Sequence, residues 1–281
     1  MHWRLRIVLV VIGAVVHVGF GACSGARRCR TVHAQIQNMV RSKRAKTSSL
    51  SCTEHSLPDV VELRGPPVLP PGCSKCEDAA ADSPGEKGCV KMLWSDSYGP
   101  AVFALQPALS DAECRAWIEW GEARGFSLEK LQQNHMNAHR DNFRIAIESE
   151  EVAAALFERL RPIVPALFEG RGVSGLSSNI RLYKYEAGQR FGKHIDQSNL
   201  LGGGKGATEF TVLVYLNEGV GGGETVFYKD HDGDHEAVRF SPSKGSALLH
   251  AHGRRCLTHE GAAVTAGVKY LLRSDVCYSD D

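Results

Sequence analysis

Excess charge is missing from this chain: 33 Lys and Arg stand against 32 Asp and Glu, a net of +1. The total gives no electrostatic reason to expect a nucleic-acid or membrane partner. Methionine and tryptophan are scarce, four of each, and point to nothing beyond core positions. The apolar run Ile7–Ala22 has only 16 residues and is broken by His17. As a helix it would span about 24 Å, short of a hydrocarbon core of about 30 Å. A structural zinc site needs four ligands, yet Cys73-Ser74-Lys75-Cys76 has no second cysteine pair at suitable spacing. Acidic residues are absent before Glu54 although nine Lys and Arg precede it, so the remainder carries a net of −8. A length of 281 residues and a hydrophobic content of 43% exclude a wholly disordered chain, a collagen-like repeat and a small disulfide-only scaffold.

The basic, acid-free head reads as targeting ahead of a soluble body. Arg4 and Arg6, the apolar run and then Ser24-Gly25-Ala26 follow the order of a secretory signal, so residues 1–26 are expected to be a signal peptide or a signal-anchor. Residues 27–53 are rich in Arg, Lys, Ser and Thr. They suit either a disordered basic stalk or a transit peptide for a plastid bounded by extra membranes. Pro58, Pro66, Pro67, Pro70, Pro71 and Pro84 give residues 56–92 the composition of a linker. Nine cysteines agree with a secretory route, as disulfides or free thiols in an oxidising lumen. The expected location is the endoplasmic reticulum lumen or its membrane, with a plastid as the alternative.

Residues 27–93 are thus expected to be a low-order linker and residues 94–281 a folded domain beginning near Trp94. Ser110-Asp111-Ala112-Glu113 is a capping-box pattern. The helix after it places Cys114, Trp117, Ile118 and Gly121 on one side and ends near Gly125. A second helix is expected from about Ser149 to Leu160, with Val152, Leu156, Phe157 and Leu160 inward and Pro162 and Pro165 limiting it. From Asn179 the period changes to that of strands. Ile180–Tyr185, Glu209–Leu216, Glu224–Tyr228, Ala237–Phe240, Ser246–Leu249 and Lys269–Val276 are separated by Gly-rich or charged turns. Many short strands with such turns predict an antiparallel sandwich or barrel. The division expected is a helical flank over about 108–172 and a β core over about 178–278.

His194-Ile195-Asp196 follows a strand, and residues two apart in extended chain share a face. An imidazole and a carboxylate can therefore meet at one ion. His259 from another strand would complete a two-His-one-carboxylate facial triad, which leaves three positions open on Fe(II). A bidentate 2-oxo acid and dioxygen fill three. The distal carboxylate of such an acid needs a cation, and Lys269 lies ten residues past His259 at the start of the next strand.

The words around these residues resemble the iron(II)- and 2-oxoglutarate-dependent dioxygenases of the prolyl 4-hydroxylase type. They are Arg181–Gln189, His194-Ile195-Asp196, Thr211–Asn217, Gly222-Gly223-Glu224-Thr225, Lys244–Leu248, His259-Glu260-Gly261 and Lys269-Tyr270. The resemblance covers about residues 108–278. It implies a double-stranded β-helix, or jelly roll, with flanking helices: a mainly β fold. It also implies that His194, Asp196 and His259 hold iron, and that Lys269 pairs with the distal carboxylate of 2-oxoglutarate while the Tyr185 hydroxyl helps hold it. L-ascorbate is implied as the reductant of iron oxidised without product. One position departs: a Trp common six residues beyond the Lys is replaced by Asp275.

Other clusters compete for attention. His231, Asp232, Asp234 and His235 surround an Asp-Gly hairpin tip and read as a solvated turn. His250 and His252 share a face but have no carboxylate at suitable spacing along the chain. Arg140, Asn142 and Arg144 alternate, as a substrate groove or as a solvated strand face. The activity expected is hydroxylation of an unactivated C–H with release of succinate and carbon dioxide, on a prolyl residue of a peptide or on a small molecule. The alternatives are a non-redox metal hydrolase, which has no use for Lys269, and an inactive peptide-binding module.

Overall fold

The computed structural model describes residues 10–11, 14–15, 60–62, 67–71, 87–97, 99–133 and 138–280. The chain divides into two units, Met1–His55 and Ser56–Asp281. In the first, Val10–Val11 pairs antiparallel with Ala14–Val15. The remainder of the expected signal, the basic segment 27–53 and the Cys73–Cys76 pair lie outside the described residues.

The second unit begins its regular structure earlier than Trp94. Val60–Glu62 pairs with the start of strand β1 (Lys87–Asp96), and β1 pairs with β2 (Gly99–Gln106). Val68 is fully buried. Its N–H donates to Glu113 Oε1 at 2.7 Å and its C=O accepts from Trp117 Nε1 at 2.9 Å. Proline-rich chain reads as linker because it cannot satisfy its own backbone; here two side chains of the folded body do so.

Helix α1 (Asp111–Arg124) starts with the expected capping box, Ser110 and Glu113 bonding reciprocally. Glu113 is wholly buried and paired with Arg159 at 2.9 Å, across to helix α2 (Glu150–Leu160). Gly121 is required for close approach, since a Cβ there would come within 2.6 Å of Leu182 Cδ2. Strands β3 (Ser127–Leu131) and β4 (Arg140–Glu148) form a hairpin. Eight of the strands that follow make the two halves of the core: β5 (Asn179–Tyr185), β6 (Arg190–His194), β7 (Gly206–Tyr215), β8 (Thr225–Tyr228), β9 (Glu236–Phe240), β10 (Ala247–Ala251), β11 (Thr258–Gly261) and β12 (Lys269–Ser279).

Their pairing order is β5-β12-β7-β10 in one half and β6-β11-β8-β9 in the other, all antiparallel. Strand β4 pairs with both β5 and β6 and joins the halves. Chain that crosses between two four-stranded halves in this order is a double-stranded β-helix. Alternation sorts the side chains of the first half. Ile180, Leu182, Val212, Val214 and Leu272 pack with Trp117, Leu156 and Leu160 of the helices. Tyr183, Tyr185, Tyr215, Leu248 and Leu271 pack with Phe227 of β8 between the halves. The helices thus cover one face of the first half, and on its other face a pocket is lined by Tyr183, Tyr185, Leu213 and Leu271.

Candidate metal and cosubstrate site

Register builds the site. His194 ends β6 and stands directly opposite His259 in β11. Their rings are 4.2 Å apart. Asp196 lies just beyond the strand, where Gly253 N–H bonds its C=O at 2.9 Å and its own N–H reaches Cys256 Sγ at 3.3 Å. One donor atom from each of His194, Asp196 and His259 falls within 4.8 Å of the others.

The outer atoms of these residues are already engaged. His194 Nδ1 donates to Gly192 O at 2.8 Å and His259 Nδ1 to Leu257 O at 3.0 Å, which leaves each Nε2 with its lone pair. Asp196 Oδ2 accepts from Thr211 Oγ1 at 2.6 Å and from Arg273 Nη2 at 3.0 Å. Oδ1, 3.6 Å from His194 Nε2, is left to bind. Phe191 stacks on the His194 ring at 3.7 Å, and the Arg140 guanidinium lies 3.9 Å from the centre of the Phe191 ring. Burial, aided by His259, pushes His194 down to about 3, so the imidazole is neutral. Burial would raise the Asp196 carboxyl, but Arg273 and then the three neighbouring histidines hold it well below its usual value. Two neutral imidazoles and a carboxylate are a fitting donor set for Fe(II).

Lys269 opens β12 directly opposite Tyr185 of β5. It is 3% exposed. Burial lowers its ammonium to about 8. Nζ donates to Gly223 O at 2.6 Å and sits over the rings of Tyr185 and Tyr215, at 5.5 and 5.4 Å. Gly223 has φ +73, and a Cβ there would come within 3.2 Å of Lys269 Cδ, so glycine is needed there. Among the described residues no carboxylate forms an ion pair with Lys269. A buried cation in want of an anion faces the pocket that His194, Asp196 and His259 also line.

Residues 180–274 match the family model of the 2OG-Fe(II) oxygenase superfamily. This stretch carries a 2OG-Fe(II) oxygenase domain. Fe(II) and 2-oxoglutarate are the metal and cosubstrate this family implies, and both fit the donors just described. No curated protein matches the chain in sequence. Among solved structures, the viral collagen prolyl hydroxylase of Paramecium Bursaria Chlorella virus-1, in its 2OG complex, is 19% identical, with a TM-score of 0.45 over 65% of this chain and 98% of that one. The Trichoplax adhaerens prolyl hydroxylase, in complex with a hypoxia inducible factor peptide fragment, is 20% identical, with a TM-score of 0.46 over 64% and 84%. A Pseudomonas putida prolyl-4-hydroxylase is 16% identical, with a TM-score of 0.44 over 64% and 94%.

The structure brings together all five residues singled out in the sequence of the oxygenase, and adds others. Arg273 and Thr211 line the pocket beside Asp196. A period-two count from Lys269 through Leu271 places Arg273 on the same inner face, a signal present in the sequence but not used. Asp275, which stands where a Trp is common, is buried and lies 3.6 Å from Arg273 and 3.7 Å from His252 Nε2. His250 and His252 therefore do have carboxylates near them, contrary to expectation: His250 Nε2 is 3.7 Å from Asp196. Sequence spacing missed these partners because they come from neighbouring strands. Asn142 is fully buried and bonds Phe143 O, so this part of the alternating row is neither groove nor solvated face. His235 bonds Asp230 in an exposed turn, as a solvated hairpin tip should.

Proposed function

We propose that the chain is a prolyl 4-hydroxylase-type dioxygenase that hydroxylates an unactivated C–H of a prolyl residue within a peptide. The observation that carries this reading is that a three-donor set and a buried lysine, which forms no ion pair among the described residues, line one pocket. A hydrolytic metal centre uses the first but has no use for the second, and an inactive binding module needs neither.

In this reading His194 Nε2, Asp196 Oδ1 and His259 Nε2 hold iron(II). Bound iron supplies the activation of dioxygen that converts C–H to C–OH while 2-oxoglutarate gives succinate and carbon dioxide. The chain's own groups orient the participants. Lys269 binds the distal carboxylate of 2-oxoglutarate, and Tyr185, its phenol pushed up by burial and kept neutral, donates a hydrogen bond to it. Phe191 keeps the His194 ring from turning. Leu213 and Leu271, which line the same pocket, exclude water from the cosubstrate. L-ascorbate would be the reductant that keeps such iron ferrous. The basic, apolar head directs the chain to the secretory lumen or its membrane.

The test is succinate release from 2-oxoglutarate, with iron(II) and ascorbate, against prolyl peptides and free amino acids. Peptide-stimulated succinate with a matching hydroxyproline supports the reading. Succinate release stimulated by no peptide but by a small molecule would replace the substrate and keep the chemistry.

A further inference from the structure

A second donor set shares one residue with the first. His250, Cys256 and His259 each offer a ligand atom, all within 4.8 Å of one another, and all three residues are buried. His250 is 2% exposed, and its Nδ1 has no hydrogen-bond partner, a condition that buried polar atoms seldom keep. Cys256 follows the turn Gly253–Arg255 and is drawn inward by the Asp196 N–H. Its Sγ lies 3.7 Å from His259 Nδ1. Bonds of about 2.3 Å to sulfur and 2.1 Å to nitrogen close such a separation at nearly the tetrahedral angle that zinc prefers.

We propose that His250, Cys256 and His259 form a site for a soft divalent cation, zinc above all, which overlaps the iron set. Sulfur and imidazole donors favour zinc over the harder Fe(II). On binding, the cysteine sulfur exchanges its proton for the metal and the proton leaves to solvent. Binding through His259 Nδ1 moves the ring proton from Nδ1, where it bonds Leu257 O, to Nε2; a neutral imidazole has one lone pair, so His259 serves one ion at a time. Zinc in the soft set therefore withdraws His259 from iron. That inhibitory consequence rests on the iron reading; the existence of the soft site does not.

The test uses the full chain carrying His194→Ala, which breaks the iron set alone, and cobalt(II) as a spectroscopic probe. One equivalent of cobalt(II) should bind with a thiolate-to-cobalt charge-transfer absorption. Adding Cys256→Ser should abolish that absorption, and adding His250→Phe, which keeps the edge-to-face contact with Phe227, should weaken cobalt at least tenfold. No thiolate absorption in the His194→Ala chain overturns the proposal. So does absorption that survives Cys256→Ser, because other cysteines would then be the ligands. Should Cys256→Ser fail to fold, zinc alone decides: it should raise the thermal midpoint of His194→Ala and leave that of His194→Ala/His250→Phe unmoved, and equal rises sink the site. Since His194 is absent throughout, none of these outcomes touches the iron assignment.

Discussion

Arg273 donates to Asp196 Oδ2 at 3.0 Å from 77 positions further along the chain. The same oxygen takes the Thr211 hydroxyl. One carboxylate oxygen thus accepts two protein hydrogen bonds, while the other, 3.6 Å from His194 Nε2, accepts none among the described residues. Partners that orient a metal ligand in this way are typically worth about 10–100-fold in metal affinity. Arg273→Met, close in volume but unable to donate, should weaken Fe(II) by that factor. Equilibrium metal binding checks this, and unchanged affinity would mean the guanidinium serves only Asp275.

His194→Ala and Asp196→Ala each remove one of the three proposed ligands. Turnover of 2-oxoglutarate should fall to background while the far-ultraviolet circular dichroism stays that of the parent, because the core is made by other residues. Near-normal turnover with Fe(II) in either variant would refute the triad.

Lys269→Ala should weaken 2-oxoglutarate roughly ten- to a hundred-fold, the loss of a charge-assisted bond worth about 1.5–3 kcal/mol. The pH dependence has a definite sign. Only the protonated lysine attracts a carboxylate, and burial sets the free protein's ammonium at about 8. Affinity should be flat below that pH and fall by up to about tenfold per unit above it. Calorimetric titration of 2-oxoglutarate from pH 7 to 9.5 measures this, and a flat profile in the parent would place the cosubstrate elsewhere.

Glu113 and Arg159 form a buried pair far from the pocket, and Glu113 also holds Val68 N–H and Ser110 N–H. Glu113→Ala strands an uncompensated guanidinium, which costs about 3–5 kcal/mol. Denaturant unfolding should show that loss.

A chain starting at Ser56 should fold, whereas one starting at Trp94 should not match its stability. The shorter chain lacks most of β1 and all of Val68, and leaves Trp117 Nε1 buried without its acceptor, worth about 1–3 kcal/mol by itself. Equal thermal midpoints for the two would show that the early segment contributes nothing.

These residues also mark where sequence reading succeeds and where it stops. The helices were legible because Ser110, Glu113 and the inward apolar residues follow local rules. His194, Asp196, His259 and Lys269 were legible because their spacing is short and their chemistry unusual. Val68 was not, because its role depends on side chains 45 positions away. Thr211 and His250 were not, because nearly every residue of β7 and β10 is buried. Where both faces of a strand are covered, polar and apolar positions no longer alternate, so nothing local reveals which side chain looks into the barrel. Only the pairing of Thr211 with His250 does.

His194 and His259 occupy facing rungs of the β6–β11 ladder. An ion gripped by both is therefore a rivet between two stretches of chain that meet late in the sequence. By mass action, a ligand at a hundred times its dissociation constant adds about 2.7 kcal/mol to the native state. A shortage of metal would then shorten the life of the folded protein, quite apart from the reaction it stops.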